Sequence, residues 1–144
     1  MYRLAGKDVY YGGISISFNW RNYLELAIEL QKETDEANLR SSISRAYYAA
    51  FCSARNYMEE KDRHELPSDG SEHQYIIDYY SGHKGRSTNR KRTQIAQDLM
   101  RMRRERVNAD YHNIFVNGKF LPKTAKDVLI WSENVLSLTE RGGL

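Results

Sequence analysis

Apolar residues recur at helical spacing through most of the 144-residue chain. Trp20, Tyr23, Leu24, Ala27 and Ile28 predict a first helix over about Asn19 to Glu33, with Asn19 as its N-cap. Leu39, Ile43, Ala46, Tyr47, Ala50, Phe51, Ala54, Tyr57 and Met58 predict a second helix from about Asp35 to Glu60. This is the longest stripe in the sequence, and its three alanines admit close approach by a neighbouring helix. The charged stretch from Lys61, ending in Pro67-Ser68-Asp69-Gly70, is a connecting loop. A shorter third helix follows from about Ser71 to Tyr80, capped by Ser71, with Tyr75, Ile76, Tyr79 and Tyr80 turned inward. A fourth covers about Arg90 to Asp110, and a fifth starts at Pro122, which suits a first helical position, and ends at Arg141-Gly142-Gly143.

Residues 113–121, with Asn117-Gly118, form a turn region between the last two helices. Residues 1–18 read as an N-terminal arm, either loosely ordered or a short hairpin. Residues 19–144 then make one all-α domain, an antiparallel up-and-down bundle of four to five helices. The fourth helix carries an anomaly. Its stripe runs Ile95, Leu99, Met102, Arg106, Ala109, so an arginine occupies a core position. An unpaired buried guanidinium costs several kcal/mol. That end of the stripe is therefore expected to face a cleft, an acidic partner or another subunit.

Charge sharpens this picture. Nine basic residues lie between Lys84 and Arg106 against two acidic ones, a local excess of +7 in a chain whose net charge is +3. Arg90, Lys91, Arg92, Arg101, Arg103 and Arg104 are the candidate polyanion ligands in this stretch, with a solvated helix face as the plainer reading. Arg40, Arg45 and Arg55 lie off the second helix's apolar stripe, where flanking an RNA groove is the alternative and a solvated face the default. Cys52 is the only cysteine, so an intrachain disulfide is impossible and a reducing, cytoplasmic setting is the simplest expectation. No segment has the length of a membrane span. His64, His73 and His83 fall in or beside loops at no metal-ligand spacing, where exposed or capping roles are expected, and neither a metal nor a cofactor is expected.

The densest group of reactive side chains is Arg106-Val107-Asn108-Ala109-Asp110-Tyr111-His112. Arginine presents a fixed fork of donors to phosphate oxygens, and histidine exchanges protons near neutral pH. Together they suffice for metal-free cleavage of RNA by its own 2′-hydroxyl. Six residues advance an ideal helix by about 600°, or about 240° past a full turn. Arg106 and His112 therefore share a face only if the helix ends near Asp110 and the chain swings back, or if two copies each contribute. The simpler reading pairs Arg106 with Asp110 at i,i+4, leaves His112 at a helix C-terminus and puts Tyr111 in the core.

Two segments together resemble the HEPN (higher eukaryotes and prokaryotes nucleotide-binding) domain family. Leu39 to Phe51, read as Leu-Arg-Ser-Ser-Ile-Ser-Arg-Ala-Tyr-Tyr-Ala-Ala-Phe, is similar to that family's second-helix signature. Arg106 to His112, with five residues between, is similar to its arginine-to-histidine motif, and Ala109-Asp110-Tyr111 is typical of the small prokaryotic branch. The resemblance spans about Asn19 to Arg141. It implies a dimerising HEPN-like bundle whose two motif copies meet in a composite cleft. It further implies a metal-independent endoribonuclease, a toxin or antiviral effector, with Arg106 and His112 catalytic and Asn108, Asp110 and Tyr111 positioning RNA. A minimal nucleotidyltransferase antitoxin is the implied partner. The alternative is a non-catalytic module that binds such a nucleotidyltransferase or a nucleotide.

Overall fold

A computed structural model describes residues 9–11, 14–115 and 120–144. The predicted turn at Asn117-Gly118 lies outside the described residues. Two short strands, β1 (Val9–Tyr11) and β2 (Ile14–Ile16), pair antiparallel, Val9 facing Ile16, so this part of the arm is a hairpin. Five helices follow: α1 (Arg21–Leu30), α2 (Glu36–Glu60), α3 (Glu72–Tyr80), α4 (Arg90–Tyr111) and α5 (Leu121–Arg141).

Local chemistry sets the helix boundaries. The Asp35 and Asn89 side chains accept from the backbone N–H groups of Asn38 and Arg92, capping α2 and α4. Asn19 serves α1 from one position further out, accepting from Arg21 N at 3.1 Å, while Trp20 holds the cap position itself. Ser71 makes no side-chain cap bond at α3; its hydroxyl turns back to Asp69 instead. Gly82, at φ 88°, closes α3 in a conformation that glycine adopts without strain, with its N–H on the Tyr79 carbonyl.

Pairwise contacts give each helix a direction. Ala27 meets Ser42 and Trp20 meets Arg55, so α1 and α2 run antiparallel. Asp62, just past α2, meets Arg92, and Ser44 meets Asp110, so α2 and α4 also oppose. Arg101 lies over Trp131 and Arg92 meets Leu144, just past α5, so α5 opposes α4; Ser132 donates to the Ala46 carbonyl and Leu144 N to the Tyr57 hydroxyl, so α5 parallels α2. The four helices α1, α2, α4 and α5 thus alternate in direction, as an up-and-down bundle requires. The shorter α3 is inserted in the α2–α4 connection and runs parallel to α2, with Gln74 beside Arg103 and Tyr80 beside Arg92.

The core gathers where the stripes meet. Ile43, Ala46, Tyr47, Ala50 and Ala54 of α2 are buried against Ile95, Leu99 and Met102 of α4 and Ala125, Val128 and Val135 of α5. Cys52 is buried among them, and burial pushes its thiol up to about 11, so it packs as a small apolar group. At the base of the bundle Arg92 is only 1 % exposed and forks onto both oxygens of Asp62, at 2.8 and 3.0 Å. Tyr79 donates to the same carboxylate at 2.6 Å. Asp62 therefore anchors the α2–α3 connection to α4. No described helix is long and apolar enough to cross a membrane.

Candidate functional site

The site grows from one face of α2. Arg40, Ser44, Tyr47, Tyr48 and Phe51 share that face at spacings of four, three, one and three residues. Because α4 runs antiparallel, its C-terminal end lies against the first turns of α2. His112 leaves the helix in an extended conformation, φ −92° and ψ 129°, after its N–H closes onto the Asn108 carbonyl. The last carbonyls of a helix have no intrahelical donor. Arg40 supplies one, donating from Nη1 to His112 O at 2.6 Å and Ala109 O at 3.0 Å, and from Nη2 to Asn113 O at 3.4 Å. Its positive charge also suits the negative end of the helix dipole. Glu36 holds the other edge of the guanidinium through Nε at 2.9 Å.

One turn further in, Asp110 joins two helices. Ser44 donates to its Oδ2 at 3.2 Å, and Arg106 Nη1 lies 3.5 Å from the same oxygen. The Arg106 guanidinium sits 5.5 Å from the ring centroids of Tyr47 and Tyr48 and 5.7 Å from that of Tyr111. Aromatic faces attract such a cation. Arg106 is only 7 % exposed, and its Nε has no hydrogen-bond partner among the described residues. The charge is thus met by one carboxylate oxygen and three tyrosine rings, and the buried Nε–H is left unmet among the described residues.

Beneath Arg106, the Tyr47 hydroxyl lies 2.5 Å from Nδ1 of His73, whose ring stacks on Phe51 at 4.4 Å. Burial pushes the Tyr47 phenol well above its usual range, against the opposing pull of Arg106 and Arg103. Burial lowers His73 to about 4, helped by the charges of Arg106 and Arg103, so the imidazole is neutral at physiological pH. The exposed or capping role expected of His73 does not hold: the residue is half-buried within this cluster. His64 is also drawn inward, its Nε2 2.6 Å from the Tyr75 hydroxyl, while His83 is exposed.

The structure distributes the expected site residues unevenly. Arg106 lies inside the bundle and His112 outside it, and no hydrogen bond or ion pair joins them among the described residues. Asp110 pairs with Arg106 as the i,i+4 spacing suggests. Tyr111 is not a core residue: it is 71 % exposed with its ring facing Arg106. Asn108 is buried, and its Nδ2 has no hydrogen-bond partner among the described residues.

The basic stretch does not form a single patch. Arg90 and Lys91 are exposed at the opposite end of α4 from Arg106, more than about 20 Å along the axis at helical rise. Arg101 lies over Trp131, and Arg104 pairs with Glu105 at 3.3 Å. Arg103, partly exposed, donates to Gln74 at 2.8 Å and stands one helical turn before Arg106. Arg92 does not belong among the surface cations: it is buried against Asp62 and unavailable to a polyanion.

Arg40 and His73 have larger parts in the site than the solvated-face and exposed-or-capping expectations gave them. Arg40 stands four residues before Ser44 and eight before Tyr48, in phase with the aromatic pair. His73 stands three before Ile76 and four before Ile77, on the buried side of α3. No three His, Cys, Asp or Glu side chains gather at metal-binding spacing among the described residues. No family model matches the chain, and no curated protein or solved structure matches it.

Proposed function

We propose that the chain is a metal-independent endoribonuclease of HEPN type, acting as a homodimer in which the Arg106 and His112 copies of two protomers converge on one RNA strand. The observation that carries this reading is Arg106 itself. A guanidinium held on the core stripe, with Nε unmet and a single carboxylate oxygen beside it, is a costly arrangement. A phosphate supplies the charge and the acceptors it lacks.

In the proposed reaction the ribose 2′-hydroxyl attacks the adjacent phosphorus. The bond from phosphorus to the 5′-oxygen breaks, leaving a 2′,3′-cyclic phosphate and a 5′-hydroxyl. One His112 imidazole accepts the 2′-hydroxyl proton, and an imidazolium from the second copy protonates the departing 5′-oxygen. Arg106 offsets the charge growing on the non-bridging oxygens. Tyr111, exposed beside Arg106, offers a face on which a base can stack. Asp110 and Asn108 orient the arginine end of the motif. Arg103 extends the positive surface, and Arg101, Arg104, Arg90 and Lys91 contribute at longer range.

The separation of Arg106 from His112 within one protomer favours a second reading, a non-catalytic module that docks a nucleotidyltransferase or a nucleotide. Incubation with total RNA in excess EDTA separates the two. The nuclease reading predicts fragments ending in 2′,3′-cyclic phosphate and no attack on DNA, which lacks the nucleophile. Salt-sensitive binding without turnover would favour the module.

A further inference from the structure

The reaction proposed above uses Arg106 and His112 and leaves His73 without a task. Yet His73 is tied to the same cluster from below. Tyr47 connects them, with its hydroxyl 2.5 Å from His73 Nδ1 and its ring under the Arg106 guanidinium at 5.5 Å. Arg103 stands one turn before Arg106 on α4, and its guanidinium is held by Gln74, the residue after His73. Helices α3 and α4 thus present an imidazole and two guanidinium groups to the same region.

We propose that Arg103, Arg106 and His73 form one binding site for a phosphoryl anion, occupied during RNA cleavage by a phosphodiester. The inference rests on the reading of Arg106 as a phosphate ligand. The unmet, buried Nε of Arg106 is one donor such an anion would take up. His73 offers another. When the Tyr47 phenol donates to Nδ1, the imidazole proton sits on Nε2, which no protein group engages among the described residues. The hydroxyl can turn to accept when Nδ1 is protonated as well.

The surrounding charges tie the site to proton uptake. From α4, His73 faces Arg103 and Arg106; from α2, the phenols of Tyr47 and Tyr48; from its own helix, Glu72. Asp110 is engaged by Arg106 and Ser44. Burial and the two arginines hold the imidazole neutral, with a midpoint of about 4. An entering anion cancels the arginine charge, so His73 gains a proton at a higher pH than in the empty site. Anion affinity and His73 protonation therefore rise together.

Sulfate tests this in the full chain, because it keeps its own charge between pH 5 and 8. The His73 imidazole midpoint, followed by NMR, moves up by about two units with saturating sulfate, and sulfate binds about tenfold tighter at pH 5 than at pH 7. His73→Gln removes the pH dependence. Arg103→Gln, at a partly exposed position where folding is not at stake, weakens sulfate about fivefold or more. An unmoved His73 midpoint, or wild-type pH dependence in His73→Gln, overturns the site. If His73 is unmoved while the wild type cuts RNA, this inference fails and the nuclease reading stands. If sulfate moves His73 while RNA stays intact, the anion site stands and the nuclease reading fails.

Discussion

Arg40 of α2 donates to the backbone carbonyl of His112, 2.6 Å away, and so fixes the direction in which the chain leaves α4. The same guanidinium holds the Ala109 carbonyl one turn earlier. Its bonds therefore span both the last helical turn and the first residue beyond it. The fork geometry matters here, because an ammonium group cannot reach both carbonyls while also meeting Glu36.

Arg40→Ala is therefore expected to fray the end of α4, with a stability loss of about 1–3 kcal/mol. Hydrogen exchange at the amides of Tyr111, His112 and Asn113 checks it, and should quicken while the α4 amides near Leu99 stay protected. Arg40→Lys should restore little of that protection.

The Asp62–Arg92 pair predicts a different kind of loss. Burial pushes the Asp62 carboxyl up, but the hydrogen bonds from Arg92 and Tyr79, with the Arg92 charge, outweigh it and hold the group below its usual range. A carboxyl lowered in the folded state contributes stability above its unfolded pKa and loses it as pH falls through the folded value. Arg92→Met should cost up to about 3 kcal/mol at pH 7, because it leaves the buried carboxylate only the Tyr79 hydroxyl and the part-exposed Arg86, 3.6 Å away. Adding Asp62→Asn to Arg92→Met should recover part of that cost in urea denaturation.

Asp98 behaves in the opposite sense. Burial raises its carboxyl above the usual range, against the pull of the Gln94 hydrogen bond. An acid raised in the folded state costs stability while ionised, and the cost is relieved as pH falls through the folded pKa. Asp98→Asn is expected to be neutral or stabilising at pH 7, by up to about 1 kcal/mol, and to lose that advantage on acidification. Thermal unfolding of the two proteins from pH 7 to pH 4 measures this.

His73 adds its own acid sensitivity. Its folded midpoint of about 4 lies below the ordinary histidine value of 6.5, so the unfolded chain binds the proton first. Stability should fall as pH drops from about 6.5 towards 4, and His73→Gln should flatten that part of the profile. Denaturation midpoints at half-unit pH steps give the answer.

The bundle was legible because its apolar stripes are long and in phase. Every member of the Ile95, Leu99, Met102, Arg106, Ala109 stripe is buried, the arginine included. The same phase continues back to Arg92, three residues before Ile95, which places Arg92 inside as well. Grouping it with Arg90 and Lys91 by charge hid that signal. What phase could not supply was the partner. Asp62 lies 30 residues from Arg92, and His112 lies 72 from Arg40. Such pairs arise from helix packing, which local spacing does not encode. The direction of α3 was equally hidden, since it depends on the path of the α2–α3 connection.

The most direct test of the Arg106–His112 reading uses a defined single-stranded RNA in EDTA, with the purified chain and its Arg106→Ala and His112→Ala variants. The wild type should release fragments ending in 2′,3′-cyclic phosphate. Each variant should lose at least about a hundredfold in rate while keeping its helical circular dichroism. Undiminished cleavage by either folded variant would contradict the account, as would intact RNA in the presence of the wild type.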